Sequence, residues 1–184
     1  MKATSKFHWR IADAQDASWI YQMRCDDEIR LNIHTVDRFT RKQCEDWLIN
    51  LSNTSQRLVI MDNGDRPVGL FRIDNIDYQN QNCCFGLDIL KEHRGQGHAI
   101  PIWQMMMDEW FNNRNMHMIW LEVLSTNPRA THIYEKLGFK HDGKFRDAVF
   151  RQGQWIDSIF MSIKHKEYFE KRYDEVGSEL LQTK

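Results

Sequence analysis

The segment LDILKEHRGQGHAIPIWQMMMDEW, Leu87 to Trp110, sets Arg94, Gly95, Gly97 and Ala99 between an apolar strand and an amphipathic helix, in the spacing R-x-x-G-x-A. Glycine has no Cβ, so backbone there can approach a ligand closely. A helix that starts just after presents unpaired N–H groups and the positive end of its dipole. Together these suit a pyrophosphate, and Arg94 adds a fixed positive charge. Pro101 is compatible with the first helical turn, where no intrahelical acceptor awaits an N–H. The turn is not a P-loop, because no Lys-Ser/Thr follows the glycines. G-Q-G-H-A-I also departs from the dinucleotide fingerprint G-x-G-x-x-G. Alone, the pattern equally describes a plain strand-to-helix turn.

A second pattern lies downstream. EVLSTNPRATHIYEKLGF places Asn127, Ala130, Tyr134 and Gly138-Phe139 in the spacing N-x-x-A-x-x-x-Y-x-x-x-G-F. With the glycine turn, this strongly resembles the GNAT superfamily of acyl-CoA N-acyltransferases. The resemblance runs from about Phe7 to Tyr168 and is most specific from Phe85 to Phe139. The late stretch GKFRDAVFRQGQWIDSIFMSI is similar to the small-molecule branch, which includes spermidine/spermine and amino-sugar-nucleotide N-acetyltransferases, alongside ribosomal-protein N-acetyltransferases. The resemblance implies acetyl-CoA as co-substrate, with Arg94, Gly95, Gln96, Gly97, His98 and Ala99 wrapping its pyrophosphate. It implies that the strand of Leu87, Asp88 and Ile89 splays from the strand of Leu121, Glu122 and Val123, leaving a gap for the pantetheine arm. Asn127 and Ala130 belong to the same CoA-binding side. A backbone N–H near Leu87 would act as the oxyanion donor.

Acetyl transfer requires a neutral amine, a stabilised oxyanion and a proton for the leaving thiolate. Tyr134 is the candidate acid, since a phenol of reference pKa near 10 matches a thiolate in basicity. The same residue would otherwise read as core packing beside Ile133 and Leu137. Many relatives resembling this chain carry a glutamate base just before the aromatic residue of the central strand. Here Cys84 takes that position, and it reads as a buried thiol in a direct-transfer enzyme. A water chain to Asp88, Glu122 or His34, or desolvation of the incoming ammonium, could replace the base. Acceptor recognition is expected in RCDDEIRLNIHTVDRF, through Asp27, Glu28, Arg30 and His34, with Cys84 nearby. Its acids could hold a cationic amine, while Arg24 and Arg30 could instead face a sugar-nucleotide phosphate. It lacks the denser acidic, aromatic-rich run of the polyamine enzymes it resembles, so an amino sugar is favoured slightly over a polyamine. A protein N-terminal acetyltransferase and a non-catalytic acyl-CoA sensor are the alternatives.

The elements that must position these residues read as strand, two helices, three strands, helix, strand, helix, two strands. The class is α/β (α+β): a mixed, mostly antiparallel sheet with one splayed parallel pair and flanking helices. Residues 1–184 form one domain with a core over about 7–168 and a polar tail, helical at its start and frayed at its end. Asp13 and the pair Thr40/Gln43 are helix caps, and Gly138 is a helix stop. Asn63-Gly64 suits a type I′ hairpin turn, and DEIRLNIHTVDRF reads as an irregular connector. A net charge of −1 gives no pull toward nucleic acid or membrane. The four cysteines lack zinc spacing and read as reduced thiols, and the scattered histidines make no metal pattern. With no signal or anchor segment, a cytoplasmic enzyme is expected, with a homo-oligomer as one option.

Overall fold

The computed structural model describes residues 6–34 and 40–182, with side chains to residue 173. Seven strands form one sheet in the order β1-β2-β3-β4-β5-β7-β6. They are β1 (Phe7–Ile11), β2 (Gln56–Asp62), β3 (Pro67–Asp77), β4 (Asn82–Ile89), β5 (Met118–Leu124), β6 (Lys140–Arg151) and β7 (Gln154–Lys164). The helices are α1 (Ala17–Cys25), α2 (Asp27–Arg30), α3 (Arg41–Ile49), α4 (Ala99–Asp108), α5 (Pro128–Leu137) and α6 (His165–Gln182). Only β4 and β5 pair in parallel. The mixed sheet and the element order agree with the sequence reading.

Alternation along the strands separates two cores. On one face, Phe71, Ile73 and Phe85 meet Trp103 and Met106 of α4, with Leu137 of α5 and Tyr168 of α6. On the other, Val59 and Leu70 meet Ile20 and Met23 of α1 and Leu48 of α3. Cys83 and Cys84 obey the same rule: Cys83 is fully buried in the first core, while Cys84 is half-buried on the opposite face. Met106, Met107 and Trp110 from the methionine-rich stretch pack inward.

Local signals place several ends correctly. Thr40 and Gln43 form a reciprocal capping box at α3. Asp13 caps a 3-10 turn over Ala14–Asp16 that leads into α1. Gly138 closes α5 at φ 101°. Three expectations change. DEIR is a helical turn, α2, because the Asp26 side chain accepts the Glu28 N–H at 2.9 Å and starts it. The rest of that connector, Thr35 to Phe39, lies outside the described residues. The Asn63-Gly64 turn is not type I′, which requires positive φ at both residues. The positive φ falls instead on Asp65, at 55°. Asp65 N–H donates to Asp62 O at 3.0 Å, and the Asp62 carboxylate accepts the N–H groups of Gly64 and Arg66. That acceptor makes the longer loop the better solution. Finally, α6 keeps helical backbone to Gln182, past the expected fraying.

Trp103 is the load carried by α4, touching Phe71, Phe85, Tyr134 and Phe139. Trp103→Ala should cost about 3–5 kcal/mol, read from urea unfolding.

Candidate active site

The site begins where a ladder stops. β4 and β5 share three residue pairs, Asn82–Met118, Cys83–Ile119 and Cys84–Trp120, and then part. Beyond that fork β4 stays paired with β3 as far as Ile89, and β5 stays paired with β7. Leu90 N–H donates to Val68 O at 2.9 Å. Antiparallel alternation therefore turns the Leu87 and Ile89 N–H groups the other way, into the gap. Asp88, between them, spends its backbone on β3. A cleft of about 510 Å³ fills the gap, and Trp120 stands at the fork, donating from Nε1 to Asn82 Oδ1 at 3.3 Å.

One wall is the glycine turn. Gly95 and Gly97 have φ of 74° and 76°, a conformation that favours glycine, and a Cβ on either would meet nothing within 4 Å. This open cradle ahead of α4 fits a pyrophosphate. Gly95, Gly97, His98 and Ala99 line the cleft. Gln96 does not: it is exposed, and its amide donates to Glu92 O at 2.6 Å. Arg94 reaches the cleft wall with part of its guanidinium engaged and its Nη2 buried without a partner among the described residues. Nε donates to Ile89 O at 2.8 Å, and Nη1 meets Glu28 at 2.9 Å and Asp26 at 3.3 Å. It staples the turn to the α1–α2 junction.

The opposite wall is the start of α5. Asn127 Oδ1 accepts the Ala130 N–H at 3.1 Å, which fixes the helix entry beside the cleft. Tyr134 follows on the cleft-lining side of the same helix, its ring 5.2 Å from Trp103 and 5.9 Å from Phe139. Burial pushes its phenol up to about 12.

The α1 face of the fork carries the charges. Asp88 takes the Arg72 Nε at 3.0 Å. Gly86 makes room for that guanidinium, since a Cβ there would sit 2.7 Å from Arg72 Nη2. Glu122 is the other acid at the fork, and its partners are His34 and Ser158. Its Oε2 lies 3.2 Å from His34 Nε2 and accepts from Ser158 Oγ at 3.1 Å, while His34 and Ser158 are 2.7 Å apart. Arg151 fixes this corner by donating to the carbonyls of Ile33 and His34. Burial is the largest influence on His34 and lowers its pKa from 6.5; Glu122 opposes the shift, and Arg151 and Arg72 add to it. Cys84 is pushed up to about 12, chiefly by burial.

Of the residues expected to recognise the acceptor, Glu28, His34 and Cys84 line the cleft. Asp27 and Arg30 do not. Three apart on one helical turn, they share a face and pair with each other at 2.7 Å. Sequence reasoning missed Arg72, Ser158 and Arg129, all placed here by strand pairing or helix entry. Arg129 stands 3.8 Å from Glu28, which thus spans the mouth between the Arg94 and Arg129 walls.

Comparisons with known proteins agree with this geometry. Residues 8–140 match the acetyltransferase (GNAT) domain family. A spermidine N(1)-acetyltransferase of Vibrio cholerae is 31% identical over 119 residues, 65% of this chain and 69% of that protein. The crystal structure of spermidine N-acetyltransferase from Vibrio cholerae, in complex with CoA and spermine, superposes with a TM-score of 0.84 at 25% identity, covering 90% of this chain and 99% of that one. A dodecameric structure of the Vibrio cholerae enzyme gives 0.78 at 26% identity, covering 91% and 99%. The chain belongs to the GNAT family. It is an acetyl-CoA-dependent N-acetyltransferase. Among the described residues, no helix is long and apolar enough to cross a membrane.

A thiol held near 12 is neutral at pH 7–8 and a poor nucleophile. Cys84→Ala should therefore keep at least half of the transfer rate. Iodoacetamide should label the exposed Cys25 ahead of Cys84, read by mass spectrometry. A hundredfold loss of rate in Cys84→Ala would make the thiol a participant.

Proposed function

We propose that this chain moves the acetyl group of acetyl-CoA to a primary amine of a small molecule by direct attack. The observation that carries the reading is the convergence, at one fork, of the Leu87 N–H, Tyr134 and the Glu122–His34 pair. Acetyl-CoA supplies the acyl group and a thiolate leaving group. The glycine turn binds its pyrophosphate through backbone N–H groups, and the Leu87 and Ile89 edge of β4 orients its arm. The Leu87 N–H then polarises the acetyl carbonyl.

The Glu122–His34 pair takes the proton of the incoming ammonium. Asp88 is a poor candidate because Arg72 already engages it. His34, held below 6.5, is neutral at pH 7 and ready to accept, with Glu122 to stabilise the imidazolium that results. Tyr134 returns a proton to the thiolate. A phenol at about 12 is a weak donor in water terms, yet the same burial disfavours a free thiolate leaving into this cleft. Burial raises acid and acceptor together, so the match of basicity survives.

The carboxylate missing at Cys84 is what would favour a binding-only sensor, and Glu122 supplies that function from β5. Beyond the monomer, we propose that a second copy covers the β6–β7 face. β6 is an edge strand, and Phe145, Phe150 and Trp155 are 63%, 54% and 63% exposed. Such an edge is normally covered, and a relative of similar fold is dodecameric.

Tyr134→Phe and Glu122→Gln should each lower kcat by about 10²–10⁴-fold, followed as thiol release from acetyl-CoA. The base must be unprotonated, so kcat/KM should be full at pH 7–8 and fall as pH drops through a value below 6.5. Tyr134, ionising at about 12, should add no alkaline limb below pH 10. Trp155→Ser should shift the species seen by light scattering toward the monomer; an unchanged assembly would remove this face from the interface.

A further inference from the structure

The charges of the cleft are arranged against a polycation. Among the described residues, four carboxylates line it: three are paired with arginines, and the fourth, Glu122, faces the neutral His34. Glu28 meets Arg94 at 2.9 Å, Asp74 meets Arg57 at 2.7 Å, Asp88 meets Arg72 at 3.0 Å and Glu122 meets His34 at 3.2 Å. A polyamine needs a carboxylate for each ammonium beyond the reacting one. Here three of the four carboxylates are already shared with arginines, so an ammonium would compete with them.

The wall formed by α1, β2 and β3 carries the opposite bias. Arg24, Arg57 and Arg72 lie close enough to act on one another, and the carboxylates among them are Asp74 and Asp88. Trp47 is flanked by two of these cations, Arg24 at 5.2 Å and Arg57 at 4.6 Å from its ring. Arg24 lines the cleft itself. Its burial, and the like charges of Arg72 and Arg57, work against its ionisation, with Asp88 opposing them. An anion arriving at this wall relieves that repulsion. A guanidinium also presents five donors in a planar fork, so its contacts within the chain do not exhaust it.

We propose that the acceptor is an amine that also carries an anionic group, a carboxylate or a phosphate, which Arg24 holds while the amine meets the Glu122–His34 pair. The proposal deepens the transfer reaction above and rests on it. An amino acid and an amino-sugar nucleotide share this chemistry, and spermidine does not.

Equilibrium binding tests it without depending on turnover. The full chain, saturated with desulfo-CoA, is titrated by calorimetry with an amino acid and its neutral methylamide counterpart as the carboxylate arm. A nucleoside-diphosphate amino sugar and the free amino sugar form the phosphate arm, and spermidine is the third. One anion-bearing amine should bind at least thirtyfold more tightly than its neutral counterpart, and spermidine should bind more weakly than that amine. Which arm responds identifies the anion. Arg24→Gln should weaken that amine at least tenfold and move the desulfo-CoA Kd less than twofold. If Arg24→Gln does not fold, Arg24→Lys carries the test: it keeps the charge, loses the fork, and should give an intermediate loss. Tightest binding by spermidine, equal binding of charged and neutral counterparts, an unchanged preference in the variants, or no binding at all would each overturn the proposal. Selective binding with no thiol release from acetyl-CoA would leave it standing and sink the transfer reaction alone.

Discussion

The parallel ladder ends at Cys84–Trp120, and the site depends on that ending. A continued ladder would pair Leu87 and Ile89 with β5, and the cleft would close. Because it stops, β4 keeps one edge for β3 and frees the other. The cleft is thus a fault in the sheet, held open between two half-sheets that are each fully paired on their outer sides. Trp120 at the fork and the α4 core beneath Phe85 keep that geometry fixed.

The two sides of the fork use different physics. On the glycine-turn side the chain offers backbone: two residues at positive φ, a helix start and an unpaired strand edge. On the α1 side it offers side-chain charge, almost all of it compensated. Burial then acts on both. It keeps the Cys84 thiol and the Tyr134 phenol protonated and His34 neutral. Burial thus sets the protonation of all three groups before any ligand arrives.

What was legible in the sequence was local. R-x-x-G-x-A, the Thr40/Gln43 box and Gly138 each announce a backbone conformation through neighbours a few residues away, and each appears in the fold. Cys84, read from the sequence as a buried thiol, is half-buried, while its neighbour Cys83 on the opposite face is the buried one. The Asn63-Gly64 turn misled because Asp62, just outside it, supplies two side-chain bonds that select a longer loop. α2 was missed because a single turn gives too short a period to read. The charges of the site were least visible. Arg72 and Asp88 are partners only through strand register. His34 and Ser158 meet across 124 residues of chain. No spacing encodes such contacts, so Glu122 could be named as one option among three but not chosen. Arg94 shows the converse: its position was correct, while its role depended on Asp26 and Glu28, which only the fold brings to it.

Only three residue pairs join the half-sheet of β1 to β4 to that of β5 to β7. Such a seam is the natural boundary between cooperative opening units. Helices α4 and α5 brace it from one side, through contacts such as that of Trp103 with Tyr134. A molecule that lays hydrogen-bonding atoms along the open edge of β4 takes the place of the missing ladder. Its binding energy then becomes folding energy: at a hundred times Kd the folded state gains about 2.7 kcal/mol. A ligand held there would be a structural part of the sheet.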